Sequence, residues 1–292
     1  MNRILVVGGD MRFVYLARLL EEKGCSVTVK GVGTTAAKKT TLSLGEESNM
    51  ADVIILPVPF TTDGVTINAP LCDERLYLKE MWDNIRDDAL IFGGVVGEKH
   101  NEYPKNFYDY AKRDDFAIRN AVPTAEGAIE AVMKHMNVTI FGSKAVVTGF
   151  GRCAKVLSLT LKALGADVTV CARKAGDLAM AEAFGMKSVH MKKLGETVGD
   201  ADVIFNTVPF EIFKKEELSK LKKDCPLADL ASLPGGVDRE SAEELNVKYL
   251  FLPSLPGKYS PCTAAEIILK TIENIMEEIG KEGTLWNFRE KG

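Results

Sequence analysis

Short runs of aliphatic and β-branched residues recur along the chain, separated by longer stretches whose apolar positions return every three or four residues. Over the first part the runs fall at 3–7, 26–30, 52–57, 89–93 and 116–119. Each is of strand length and is bounded by turn-forming residues. Between the first two, Phe13, Leu16, Ala17, Leu19 and Leu20 form one apolar helical face that stops at Gly24, a residue suited to end a helix. Strand–helix–strand alternation of this kind builds parallel βαβ units, so residues 1–122 are expected to form one doubly wound α/β domain.

Pro123 and Thr124 are expected to open a connecting helix over 123–141, with the Thr124 hydroxyl as its cap and Ala128, Ile129, Val132, Met133 and Met136 on one side. A second α/β series begins at Lys144, with strands expected near 167–171, 202–206, 226–230 and 247–252, and gives a second domain over 142–258. A last helix, 263–279, carries Ile267, Ile268, Ile272, Ile275, Met276 and Ile279. This broad apolar surface predicts that the segment 259–292 packs back on the first domain. The expected fold class is α/β, two doubly wound parallel-sheet domains of which the second is a Rossmann dinucleotide-binding domain.

A length of 292 residues is enough for two cores. The net charge of −4 is spread without a basic block, so nucleic acid is not an expected partner. The apolar run at 4–7 is too short for a signal peptide, and no stretch approaches the roughly 20 apolar residues of a membrane span. A cytoplasmic protein with no membrane association is expected. Six cysteines are scattered without a C-x-x-C pair, and His100, His135 and His190 make no ligand spacing, so no metal is expected. No Ser-His-Asp order, paired-carboxylate motif or activated cysteine suggests a hydrolase.

The most informative segment follows the strand at 144–148. It reads Gly149-Phe150-Gly151-Arg152-Cys153-Ala154, a G-x-G-x-x-A fingerprint in its required strand-to-helix setting. Gly149 suits the tight turn, Gly151 lets the backbone approach a pyrophosphate, and Ala154 lets helix and strand pack closely. The helix 152–164 then directs its positive end at the phosphates. After the next strand, Cys171-Ala172-Arg173-Lys174 carries no carboxylate to bond the adenosine ribose. Two cations there suit a 2′-phosphate, so NADP(H) is expected and NAD less so. Asn206, Thr207 and Pro209, with Asp229 and Ala231, follow strand ends on the ligand-binding edge and are expected on the nicotinamide side.

In the first domain Gly8-Gly9-Asp10-Met11-Arg12 follows the first strand without the later glycines of a fingerprint. A small anion, held by Gly9, Asp10 and Arg12, is expected there rather than a second cofactor. The loops at 57–62 and 93–97, with Gly94, lie on the same edge. Lys258 and Ser260 introduce the returning helix and suit carboxylate binding. No catalytic residue is assigned, since hydride transfer depends chiefly on placement and exclusion of water.

The chain as a whole resembles the dipicolinate synthase A-subunit family. The resemblance rests on Gly8-Gly9-Asp10 with Arg12, the segment 123–128, the Gly149–Ala154 fingerprint, Asp229-Leu230-Ala231-Ser232 with Pro234-Gly235-Gly236, and Leu255-Pro256-Gly257-Lys258. It implies an oxidoreductase of spore-forming bacteria acting on a CH–CH bond. The implied reaction oxidises dihydrodipicolinate, formed by dehydration of 4-hydroxytetrahydrodipicolinate, to dipicolinate with NADP. It also implies a small dicarboxylate substrate, self-association, and a flavoprotein-like partner, the B subunit. Arg12 and Lys258 are the expected grip on the two carboxylates. A more distant resemblance is to alanine and 2-hydroxyacid dehydrogenases, whose catalytic histidine has no counterpart motif here. Two other readings stay open: another two-domain NAD(P)-dependent amino-acid or hydroxy-acid dehydrogenase, and a non-catalytic NADP-binding component of a complex.

Overall fold

The computed structural model describes residues 3–33, 38–95 and 103–280. It divides into two compact units, one of Met1–Arg119 with Ser260–Gly292, the other of Asn120–Tyr259.

The strands of the first unit are β1 (Arg3–Val7), β2 (Ser26–Lys30), β3 (Lys38–Lys39), β4 (Val53–Ile55), β5 (Leu90–Gly93) and β6 (Phe107–Asp109). They form one sheet in the order β3-β2-β1-β4-β5-β6, and all pairings are parallel. Helices α1 (Met11–Glu22), α2 (Leu44–Met50), α3 (Leu78–Trp82) and later α11 (Pro261–Glu278) accompany it, while α4 (Asp114–Met133) starts in this unit and continues into the second. Because both faces are covered, β1 is a continuous aliphatic run rather than an alternating one. Ile4 and Val6 pack with Phe13, Leu16 and Leu20 of α1 and with Ile268, Ile272 and Met276 of α11. Leu5 and Val7 face the opposite layer, with Leu44, Leu78 and Met81. The last helix therefore lies on the first unit, against α1.

The second unit holds β7 (Lys144–Thr148), β8 (Asp167–Ala172), β9 (Lys187–His190), β10 (Val203–Asn206), β11 (Leu227–Asp229) and β12 (Tyr249–Phe251). Their order is β12-β11-β10-β7-β8-β9, again all parallel. Its helices are α5 (Arg152–Ala163), α6 (Ala175–Ala183), α7 (Leu194–Thr197), α8 (Lys215–Leu218), α9 (Arg239–Glu244) and α10 (Leu255–Tyr259). Ala145 and Val147 pack with Ala154, Leu157 and Leu161 of α5 and with Ala125, Ala128, Ile129 and Val132 of α4. Val146 faces Leu194, Val198, Phe213 and Leu218.

Two expectations are corrected. Residues 116–119 are not a strand: they lie in α4, which starts at Asp114, well before Pro123. Asp114 and Asp115 occupy its first turn, where the helix dipole favours negative charge. The true edge strand is the aromatic-polar β6. Thr124 consequently caps no helix start. Its hydroxyl donates to the Asn120 carbonyl one turn back (2.7 Å). The start of α4 is fixed to the end of α11: Arg113 makes a bidentate pair with Glu278 (2.6 and 2.7 Å) and bonds Asp115 (2.8 Å), which also accepts from Asn274 (2.7 Å).

Burial raises the thiols of Cys153 and Cys171 to about 11 and that of Cys225 to about 12, and it raises the Tyr110 hydroxyl above its ordinary value. The folded protein keeps these protons at a pH where the unfolded chain has lost them, so stability falls as pH rises from about 9 to 12. Each thiol is expected to contribute roughly 1.4 kcal/mol per pH unit between about 9 and its own folded value, about 11 for Cys153 and Cys171 and about 12 for Cys225. Urea unfolding midpoints at about pH 8 and about pH 10.5 should diverge, and less so in a Cys153→Ala/Cys225→Ala variant. Equal losses in wild type and variant would contradict the attribution.

Candidate functional site

At the carboxyl end of β7, Gly149 has φ +86° and donates its N–H to the Cys171 carbonyl (2.8 Å). A Cβ at this position would lie 2.7 Å from Thr207 Oγ1, which itself donates to the Thr148 carbonyl (2.7 Å). Gly151 is the N-cap of α5 and offers no side chain to accept from the helix. A Cβ there would meet nothing within 4 Å. The first turn of a twelve-residue helix thus opens onto empty space, an arrangement that fits a pyrophosphate. Arg152 is exposed, Phe150 is buried beneath Lys155 (Nζ 5.5 Å from the ring centroid), and Ala154 is fully buried between helix and sheet. At the end of β8, Arg173 and Lys174 are exposed, and no ion pair engages either among the described residues.

Asn206 and Asp229 have a different place from the expected one. Thr148, Asn206 and Asp229 occupy the last rung of three adjacent strands and are fully buried. Thr148 Oγ1 donates to Asn206 Oδ1 (2.6 Å), and Asn206 Nδ2 donates to Asp229 Oδ1 (2.8 Å) and to the Val208 carbonyl (3.1 Å). Asp229 also accepts from the N–H of Ala231 (3.1 Å) and of Gly236 (2.9 Å), and from the Tyr249 hydroxyl (3.3 Å). Both side chains are therefore turned inward, where they fix the loops after β10 and β11, and Ala231 is buried with its N–H engaged. Of the residues expected on this side, Thr207 is half-buried and Pro209 exposed. Sequence reading did not assign Thr148 or Tyr249 to this site, and it singled out Gly236 only as part of the family resemblance. The available signal was the polar residue closing each of three aliphatic strands.

In the first unit, the turn after β1 is covered by the chain itself. Gly9, with φ +93°, donates to the Asn68 carbonyl (2.8 Å). A Cβ on Gly8 would lie 2.8 Å from that oxygen, and one on Gly31 would lie 2.5 Å from Leu76. The segment 67–76 therefore covers the ends of β1 and β2, the position a dinucleotide takes in a Rossmann domain.

Asp10 caps α1 through the Arg12 N–H and is also ion-paired to the buried Arg12 guanidinium. Arg12 Nε reaches Oδ1 at 2.8 Å, and Nη2 reaches Oδ2 and the Val58 carbonyl at 2.9 Å each. This internal pair holds one side of the guanidinium, leaving Nη1 as its unengaged nitrogen among the described residues. Gly94 is buried: a Cβ there would lie 2.3 Å from Val58 Cβ, so its role is close packing of the 57–60 loop. Val96 and Gly97 lie outside the described residues. Lys258, at the end of α10, is exposed, and Ser260 is the half-buried N-cap of α11 with no side-chain cap bond. The described residues contain no cluster of ligands able to hold a metal and no helix long and apolar enough to cross a membrane.

Two doubly wound parallel sheets, one with an open glycine turn at a helix N-terminus, define a dehydrogenase-type protein with a nicotinamide-dinucleotide-binding domain. The chain belongs to the dipicolinate synthase A-subunit family. It is 34% identical to the A subunit of dipicolinate synthase from Bacillus subtilis (strain 168), over 96% of this chain and 97% of that protein. Residues 3–107 match the family described as the dipicolinate synthase A-subunit N-terminal domain. Residues 120–260 match the S-adenosyl-L-homocysteine hydrolase, NAD binding domain. The crystal structure of the dipicolinate synthase A subunit from Bacillus halodurans superposes with a TM-score of 0.83 at 28% identity, covering 94% of this chain and 97% of that one. An L-alanine dehydrogenase structure shares the fold, with a TM-score of 0.65 at 13% identity over 97% of this chain and 91% of that one.

Proposed function

We propose that this chain oxidises dihydrodipicolinate, derived from 4-hydroxytetrahydrodipicolinate, to dipicolinate with NADP⁺. The observation that carries the cofactor reading is the pair of exposed cations, Arg173 and Lys174, at the strand end where an NAD site has a carboxylate. Family membership supports the substrate. Gly149, Gly151 and the start of α5 at Arg152 hold the pyrophosphate, with Phe150 and Ala154 packed beneath the turn, Arg173 and Lys174 hold the 2′-phosphate, and Thr207 and Pro209 border the nicotinamide end. When bound, NADP⁺ supplies the acceptor for a hydride from the ring carbon. The ring also releases a proton and becomes aromatic, which supplies driving force, so the protein's task is orientation, charge placement and exclusion of water.

On the substrate side we assign Lys258, with its chain neighbour Ser260, to a carboxylate of the small dicarboxylate. Lys258→Ala is expected to raise the substrate KM about tenfold with unchanged Tm, the loss of one charge-assisted contact. An unchanged KM and turnover would remove Lys258 from the site. The proposal extends to work with a B subunit, self-association, a cytoplasmic location and a role in spore formation.

The experiment is product identification: purified chain, enzymatically generated hydroxytetrahydrodipicolinate and NADP⁺, with and without the B subunit. Dipicolinate and reduced nicotinamide should appear together. Cofactor binding with turnover only when the partner is present would make the chain a nucleotide-binding scaffold. Neither product in either arm would overturn the reaction.

A further inference from the structure

We infer that the 2′-phosphate site extends across two strand ends, with His190 and Lys192 facing the anion alongside Arg173 and Lys174. The inference rests on the NADP reading above and adds residues from a strand that carries no nucleotide motif in the sequence. Ala172 and His190 are partners on the last rung of the parallel β8–β9 pair. The chain leaves that rung as Arg173-Lys174 on one side and as the 3₁₀ turn Met191–Lys193 on the other. Neighbouring strands lie about 4.8 Å apart, so Arg173, Lys174, His190, Lys192 and Lys193 emerge side by side, and all of them are exposed.

No ion pair engages any of these side chains among the described residues. Several lysines elsewhere on the same unit do have carboxylate partners, such as Lys187 with Asp167 (2.5 Å), Lys215 with Glu244 (2.5 Å), Lys220 with Glu216 (2.8 Å) and Lys222 with Asp202 (2.8 Å). Single lysines unpaired among the described residues, such as Lys223, occur as well, so the distinguishing feature here is the gathering of five basic side chains. Like charges gathered on one edge without a carboxylate in ion-pair contact repel one another and raise the local potential for an anion. Asp177, in the first turn of α6, and Glu196, in α7, are the acids closest in sequence, each three residues from the nearest of these lysines.

Two further features suit a phosphate. Helix α6, nine residues long, starts directly after Lys174 without a side-chain cap, and a Cβ on Gly176 would meet nothing within 4 Å. The helix start therefore has room for a ligand. His190 Nδ1 accepts the Lys192 N–H (3.2 Å), an arrangement that assigns the imidazole proton to Nε2 and makes it available as a donor. A phosphate monoester accepts from such a donor, and a ribose hydroxyl pair gains far less from a wall of cations.

The test is titration of the full-length chain with NADPH and with NADH, followed by nicotinamide fluorescence, for wild type, His190→Ala/Lys192→Ala and the control Lys223→Ala. Competition by 2′,5′-ADP and by 5′-AMP reports the phosphate alone. The double variant is expected to bind NADPH and 2′,5′-ADP at least about tenfold more weakly, with NADH and 5′-AMP changed less than about twofold, and the control should match wild type. Wild-type preference for NADPH that survives in the double variant would overturn the inference and leave the NADP reading standing. Equal weakening of NADPH and NADH would also overturn it, since that signals damage to the whole site. A wild type that binds NADPH no tighter than NADH would overturn the NADP reading itself, and the inference with it.

Discussion

Gly151→Asp is expected to weaken NADPH binding by at least about a hundredfold, close to 2.7 kcal/mol, while leaving the protein as stable as before or slightly more so. Gly151 has φ −74° and ψ −171°, a region open to any residue, and its Cβ would enter empty space. Asp is among the better N-cap residues, so α5 gains an acceptor for its first-turn N–H groups. That carboxylate would occupy the donors meant for the pyrophosphate and repel it. The two readouts should therefore separate: Tm constant or raised, nucleotide affinity lost. Retained affinity would place the phosphates elsewhere. Gly149 offers no such separation, because at φ +86° a side chain is strained and also meets Thr207.

Asp229→Ala should act in the opposite way, through the fold. It leaves Asn206 Nδ2, the Ala231 and Gly236 N–H groups and the Tyr249 hydroxyl without their shared acceptor at a fully buried position. Each unsatisfied donor costs about 1 kcal/mol or more, so the second unit is expected to lose roughly 4 kcal/mol, together with the order of the loops after β10 and β11. Urea unfolding followed by circular dichroism measures this. A loss under about 1 kcal/mol would mean that the network relaxes or that water replaces the carboxylate.

Much of the architecture was legible because strands buried on both faces are continuous aliphatic runs, as at Ile4–Val7 and Ala145–Val147. The fingerprint was legible because each of its small residues answers one steric demand. Several features were not. Phe116, Ala117 and Ile118 imitate a strand locally, and only the longer spacing through Ala121, Ala125, Ala128 and Val132 reveals the helix. β6 is three residues of aromatic and acid, too short to carry a period. Asn206 and Asp229 were placed at the right strand ends, but sequence position does not tell whether a side chain there faces ligand or core. Arg12 was read as a free cation because spacing alone cannot show that Asp10, two residues earlier, folds onto its guanidinium. Parallel pairing sets His190 beside Ala172, a register that depends on the whole sheet.

The most direct test of the central claim is the stoichiometry of a single turnover by the chain alone under anaerobic conditions. With protein in excess over enzymatically generated substrate and NADP⁺ present, one NADPH should form for each dipicolinate, at the same rate. Dipicolinate appearing without NADPH, or at an unchanged rate when the Gly151→Asp protein is used, would contradict the account.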